Sequence, residues 1–256
     1  MHHAASAGAI GRRTQAPPAH TALAFGAGIA SIALSLALLP LVDQPLLAAL
    51  VRDVAQVALL GIMLPLLFVL RTRSPIADFG FTLRRARLFL AINLVLAAAL
   101  LWQQLRTSPP PAAFQWNADN LWRAGYVAVS LVFELVFFYG FLRTLFERAF
   151  GALAGIVLAA LFYSLHHAGF QPEFVKLFFV GILYASVFRI GNSALLIFPF
   201  FLGVGGVYDV LLKSKVAAVI EYPEWRTIGL ALFMAAAFAW FAYRRNITRA
   251  QPSDTA

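Results

Sequence analysis

Long apolar segments recur along almost the whole chain, and they constrain its fold more than any other feature. The sequence has 256 residues, of which 61% are hydrophobic and only 12% are charged, whereas soluble domains carry about 25% charged residues. Each segment approaches the roughly 20 residues that an α-helix needs to cross the hydrocarbon of a bilayer. We therefore expect an all-α protein, a polytopic membrane helix bundle of about eight transmembrane helices, at 21–42, 46–70, 88–103, 122–143, 151–167, 174–190, 193–212 and 227–243.

Basic residues predict the orientation of this bundle. The net charge is +9, and the basic residues cluster in the loops between apolar segments, which indicates membrane topology and not binding to nucleic acid. Because more of them lie on the side of the N-terminus, the positive-inside rule places both termini in the cytoplasm. We expect a disordered cytoplasmic tail at 1–18, an integral membrane domain at 19–245 and a second cytoplasmic tail at 246–256, in a bacterial inner (plasma) membrane.

Few charged or titratable side chains lie within the apolar segments. The carboxylates are Asp53, Glu134 and Asp209, and two adjacent histidines, His166 and His167, end the fifth segment. A charge at the centre of a bilayer costs about 2.5–3.5 kcal/mol even on insertion scales, so such residues face a cavity or one another. A short loop joins the fourth and fifth segments, which predicts that they are antiparallel neighbours and that Glu134 approaches a histidine.

A carboxylate beside an imidazole in a partly dry cavity can hold and activate a water molecule. Glu134 and His166 could also bind a metal ion such as Zn²⁺, although a donor set without cysteine is small. His167 is the weaker candidate, because adjacent helical residues point about 100° apart. Arg52 and Asp53 are expected to form an interfacial or mutually satisfied pair. The catalytic candidates are Glu134, His166, Asp209, Tyr139 and His167.

Three stretches resemble a known family: ELVFFYGFL at 134–142, FYSLH at 162–166 and FFVGILYASVFRIGNS at 178–193. Over about residues 75–212 the chain resembles the CPBP intramembrane proteases, the type II CAAX prenyl endopeptidase and bacteriocin-processing (Abi) family. Glu134 falls on the first glutamate of the family motif EExxxR, to which the family assigns water activation. Phe162 and His166 match its second motif, FxxxH.

The chain departs from two of the family motifs. Leu135 and Tyr139 stand where the first motif has its second glutamate and its arginine, and replacing both members of such a pair leaves no stranded charge. The third motif reads HxxxN or HxxxD. If Asp209 takes its last position, Gly205 stands in place of the histidine, and no histidine follows His167 in the sequence.

The resemblance implies an intramembrane endopeptidase. In such an enzyme Glu134 would deprotonate a water molecule, and His166 would stabilise the oxyanion or help to bind the water. Asp209 or Tyr139 would orient the reacting groups. The partners would be the lipid bilayer and a membrane-embedded or lipid-anchored peptide substrate, and no nucleic acid. The alternative is a catalytically impaired relative that acts as a membrane binding or scaffold protein.

Overall fold

The structure is a computed structural model that describes residues 17–83, 86–107, 117–171, 173–200, 206 and 220–250. Within these residues it contains helices and no β-strand, so the all-α prediction is confirmed for this part of the chain. Short 3₁₀ turns lie at Leu39–Leu41 and Ile76–Phe79. The longer helices are α1 Pro18–Leu36, α2 Pro45–Thr72, α3 Ala86–Thr107, α4 Ala118–Phe150, α5 Ala152–Leu165, α6 Phe174–Gly191, α7 Ala194–Phe200 and α8 Pro223–Ala250.

Six helical segments of the described chain are long and apolar enough to cross a membrane. The protein is therefore an integral membrane protein. The fifth predicted span, 151–167, corresponds to α5, which has only 14 residues and is shorter than these six. The seventh, 193–212, begins with α7, and most of its remainder lies outside the described residues. The six segments are Pro18–Leu41, Pro45–Thr72, Ala86–Thr107, Ala118–Phe150, Phe174–Gly191 and Pro223–Ile247.

Two of the long helices contain wide π-helical segments. Helix α2 is π-helical over Leu50–Met63, and α4 is π-helical over Leu135–Leu142, immediately after Glu134. A π turn rotates the side chains that follow it relative to a regular α-helix, and such turns occur frequently at functional sites. In α4 the change from α-helix to π-helix therefore begins directly after Glu134, the carboxylate that the sequence analysis identifies as a candidate.

A tight connection places α4 and α5 side by side. Gly151, with φ +93°, joins them, and a Cβ on Gly155 would lie within 3 Å of the backbone of Glu147, so the helices approach closely there. Nearly the same number of residues separates Gly151 from Glu134 on one side and from His166 on the other. The end of α5 consequently returns to the level of Glu134 in α4.

Polar contacts join the loops at one end of the bundle. Arg148, near the end of α4, pairs at 2.8 Å with Asp78 in the connection between α2 and α3. Asn192, which follows α6, donates from Nδ2 to the carbonyl of Ala77 at 2.6 Å. The ends of α2, α4 and α6 therefore meet at this end of the bundle.

A partly buried ion pair joins the helices at the opposite end. Arg226 of α8 donates to both carboxylate oxygens of Asp53 in α2, at 2.6 and 2.9 Å, and Tyr126 of α4 donates to Asp53 at 2.6 Å. The expectation that Arg52 and Asp53 satisfy each other is wrong. The arginine that pairs with Asp53 is Arg226, which is more than 170 positions away in the sequence. The packing of α8 against α2 brings the two residues together.

Candidate functional site

Glu134, His166 and His167 meet in the interior of the bundle, where the end of α5 lies against the middle of α4. The Nε2 atom of His166 lies 3.6 Å from Oε1 of Glu134, and Nε2 of His167 lies 3.9 Å from the same oxygen. The exposed fractions of the three residues are 5%, 0% and 5%, in chain order. The structure thus brings one buried carboxylate together with two imidazoles.

One backbone carbonyl orients both imidazoles. Nδ1 of His166 lies 2.6 Å from the carbonyl oxygen of Tyr163, and Nδ1 of His167 lies 2.7 Å from it. A carbonyl only accepts hydrogen bonds, so each Nδ1 carries the hydrogen, and each Nε2 of the neutral ring presents a lone pair. Both lone pairs face Glu134, the arrangement by which a carbonyl orients a histidine that holds a water or a metal ion.

Regular helical geometry predicts that the side chains of neighbouring residues point apart. Those of His166 and His167 instead point in a similar direction. Helix α5 ends at Leu165, and turns follow from His166 onward. The ring centroids of the histidines lie 4.0 Å apart as a result. His167, the weaker candidate from sequence, therefore faces Glu134 as closely as His166 does, to within a few tenths of an ångström.

Aromatic side chains surround the two imidazoles. The ring of Phe138 lies 4.5 Å from that of His166, while the rings of Tyr163 and Phe170 lie 4.7 and 5.0 Å from that of His167. These rings exclude water from most sides of the group. In such surroundings electrostatic interactions are stronger than in water.

A cavity of about 410 Å³ reaches this group of side chains. Glu134 and His167 line it, together with residues of the α1–α2 connection, α2, α4 and α6. Its wall is mostly apolar, and Arg52 and Ser130 are among the polar residues on it. A volume of this size and a wall of this character are typical of sites for small molecules.

Several buried polar atoms around the cavity lack a hydrogen-bond partner among the described residues. They include Oε2 of Glu134, Nε2 of His166 and Oγ of Ser130. Leaving such an atom unsatisfied costs about 1–3 kcal/mol, so each requires an explanation, such as contact with water, an ion or a substrate. Their proximity to the cavity indicates a site that handles a polar ligand.

The donor set fits a metal ion. The candidate ligand atoms of Glu134, His166 and His167 lie within 4.8 Å of one another, and two histidines with one glutamate form a known catalytic zinc set. Ligands at about 2.0–2.1 Å from a tetrahedral zinc lie about 3.3 Å apart, and Oε1 of Glu134 lies 3.6 and 3.9 Å from the two Nε2 atoms. The metal set expected from sequence, Glu134 with His166, thus gains His167 as a third donor.

Tyr139 lies behind the cavity wall. It is fully buried, and its ring packs at 5.6 Å from Tyr163 and 6.2 Å from Tyr184, both of which line the cavity. Leu135 is also buried. Asp209, the remaining catalytic candidate, lies outside the described residues, as does Gly205.

Sequence reasoning missed two polar residues of the site. Arg52 lines the cavity and donates from Nη1 to Oε1 of Gln56 at 2.7 Å. Ser130 lies on α4 one turn before Glu134. The spacing i, i+4 between Ser130 and Glu134, and again between Arg52 and Gln56, places each pair on one helix face and is the signal that could have identified them.

Comparisons of the chain with models of known protein families, with curated proteins and with solved structures found no match.

Proposed function

We propose that the protein is an intramembrane endopeptidase of the CPBP type, which cleaves membrane-associated or exported peptides with a water molecule activated by Glu134. The observation that carries the proposal is the convergence of two imidazole Nε2 atoms, within 4 Å, on one buried carboxylate oxygen at a cavity. The motifs around Glu134 and His166 support the same assignment.

The chemistry follows from the donors and acceptors at the site. Glu134 accepts a proton from the water, whose oxygen bonds to the carbonyl carbon of the scissile amide and leaves a negative charge on the carbonyl oxygen. When this intermediate collapses, the C–N bond breaks, and Glu134 returns the proton to the leaving amine. One hydrogen of the water is directed to Glu134, and Nε2 of His166 or of His167 accepts a hydrogen bond from the other.

The same residues would hold a metal ion, if the enzyme uses one. Glu134, His166 and His167 are the ligands that the geometry offers, and a bound Zn²⁺ would supply Lewis acidity and lower the pKa of water. The carbonyl of Tyr163 keeps both rings oriented in either case.

We also propose how the helix bundle is oriented in the membrane. The bundle crosses a bacterial inner membrane about eight times, with both termini in the cytoplasm, in keeping with the excess of basic residues in the loops on that side. The end that carries the pair of Asp53 and Arg226 faces outward. A membrane-embedded or lipid-anchored peptide then reaches the cavity from the outer half of the bilayer, which suits exported substrates.

Proteolysis by Glu134→Gln in proteoliposomes tests this function. We expect the wild type to cleave an alanine- and leucine-rich membrane-anchored peptide. Glu134→Gln should lose activity by about 10²–10⁴-fold, the usual contribution of a general base. Asp119→Asn, which removes an exposed carboxylate from the same helix, should cleave as the wild type does.

Two outcomes would contradict the proposal. Equal cleavage by the wild type and Glu134→Gln would remove the mechanism. Absence of cleavage by the wild type, for this peptide and for a panel of exported peptides, would favour the alternative of a catalytically impaired relative that acts by binding.

A further inference from the structure

The site around Glu134 needs a donor for the oxyanion, and the histidines do not provide one. In its neutral form each ring uses its only N–H, at Nδ1, on the carbonyl of Tyr163, so that Nε2 of His166 and of His167 can only accept. Stabilising the oxyanion is usually the largest single contribution to acyl-transfer catalysis, and it requires donors or positive charge at the carbonyl oxygen. That group must come from elsewhere on the cavity wall.

Two aromatic rings, those of Phe133 and Phe170, lie between Arg52 of α2 and the two histidines. The guanidinium carbon of Arg52 is 5.5 Å from the ring centroid of Phe133 and 4.5 Å from that of Phe170. Phe133 in turn contacts the ring of His166 at 5.7 Å, and Phe170 contacts that of His167 at 5.0 Å. A single layer of aromatic side chains therefore connects the guanidinium to both imidazoles.

The positive charge of Arg52 has no carboxylate partner within ion-pairing distance among the described residues. A guanidinium carries five N–H donors, and the hydrogen bond of Arg52 within the described chain is the one from Nη1 to Gln56. Arg52 and Glu134 line the same cavity and yet form no ion pair with each other. Both residues can therefore contact a substrate that occupies this cavity.

Contacts with α1 fix the position of Arg52. Gln56 is fully buried, and its Nε2 donates to the carbonyl oxygen of Ser31 at 2.8 Å and lies 3.3 Å from the Ser31 hydroxyl. Both donors of the amide thus face α1, which turns Oε1 toward Arg52. Catalytic groups act well when a supporting shell holds them in advance of the reaction.

We propose that Arg52 is a catalytic residue that stabilises the oxyanion formed during peptide cleavage. As the water oxygen bonds to the carbonyl carbon and its proton passes to Glu134, the π electrons of the carbonyl move onto its oxygen. Arg52 donates a charge-assisted hydrogen bond to that oxygen. The C=O bond re-forms when the C–N bond breaks. This inference rests on the proposed endopeptidase function and assigns to α2 a role that lies outside the motifs of α4 and α5.

Kinetics of Arg52→Gln and Arg52→Lys test the proposal with the same proteoliposomes and peptide. Loss of an oxyanion donor should lower kcat about 10²–10³-fold with little change in KM, and Arg52→Lys should recover part of the loss because it restores the charge. Arg123→Gln, which removes a partly buried arginine of α4 that pairs with Asp119 and does not line the cavity, should retain wild-type kcat. A wild-type kcat in Arg52→Gln, with Glu134→Gln inactive, would overturn the role of Arg52 and leave the proposed function intact.

A binding measurement keeps the inference testable if no peptide is cleaved. The probes are a fluorescently labelled alanine- and leucine-rich peptide and its analogue with an anionic, tetrahedral phosphinate in place of one amide, each titrated with the protein in detergent micelles. We expect the wild type to bind the phosphinate at least about tenfold more tightly, and Arg52→Gln to lose this preference, whereas Arg52→Lys retains part of it. Equal affinity of the wild type for both probes would overturn the proposal.

Discussion

The carbonyl of Tyr163 accepts hydrogen bonds from His166 and His167 at nearly equal distances, and Nε2 of each histidine lies within 4 Å of the same oxygen of Glu134. We expect His166→Ala and His167→Ala each to lower the rate of peptide cleavage by about 10²-fold or more, because each removes one of the two acceptors that orient the hydrogen that Glu134 does not take. Initial rates in proteoliposomes with matched protein content measure the effect.

His20→Ala is the matched control for the two histidine variants. The ring of His20 lies near the start of α1 and packs edge-on at 4.9 Å from Phe68, away from the cavity. Its replacement should leave the cleavage rate near that of the wild type. Full activity in His167→Ala, with an inactive His166→Ala, would contradict the expectation for His167 and return it to a structural role.

At the scale of elements, the turn after α5 is held against α1. The backbone N–H of Gly169 donates to Oγ of Ser35 at 3.1 Å, and a Cβ on Gly169 would lie only 1.8 Å from the carbonyl oxygen of Ser35. No side chain fits between the two backbones, so glycine allows the turn to dock. This docking holds the end of α5, and with it the pair of histidines, at the level of Glu134.

Gly169→Ala should therefore move the turn away from α1. We expect the free energy of unfolding to fall by about 1–3 kcal/mol, as for other overpacked positions, and the cleavage rate to fall with it because the histidines shift. Thermal unfolding in detergent and initial rates measure the two effects. Gly26→Ala in α1 is the control, since its added Cβ meets no atom within 4 Å. Identical behaviour of the two variants would show that the docking is not required.

At the scale of the whole molecule, the orientation in the membrane can be tested with single cysteines, because the natural chain contains none. Ala77 lies between α2 and α3 at the end of the bundle predicted to face the cytoplasm, and Thr107 ends α3 at the opposite end. In intact cells we expect a membrane-impermeant maleimide to label Thr107→Cys and not Ala77→Cys. Permeabilised cells should label both, and the reverse pattern in intact cells would invert the topology.

The sequence by itself determined that the protein is an all-α integral membrane protein, and it identified Glu134 as an acid that must face a partner. Both conclusions depend on local properties of the chain, namely the length of apolar segments and the cost of a charge in lipid. The antiparallel relation of α4 and α5 followed from the short loop at Gly151. For these reasons most predicted spans coincide with helices of the structure.

Only the tertiary structure decided which side chains surround Glu134. The convergence of His166 and His167 depends on where α5 ends and on the docking of the following turn against α1. Asp53 pairs with Arg226 of α8, and not with its sequence neighbour Arg52, because α8 packs against α2. Such contacts join residues far apart in the chain, and helical periodicity describes only neighbours within a few turns.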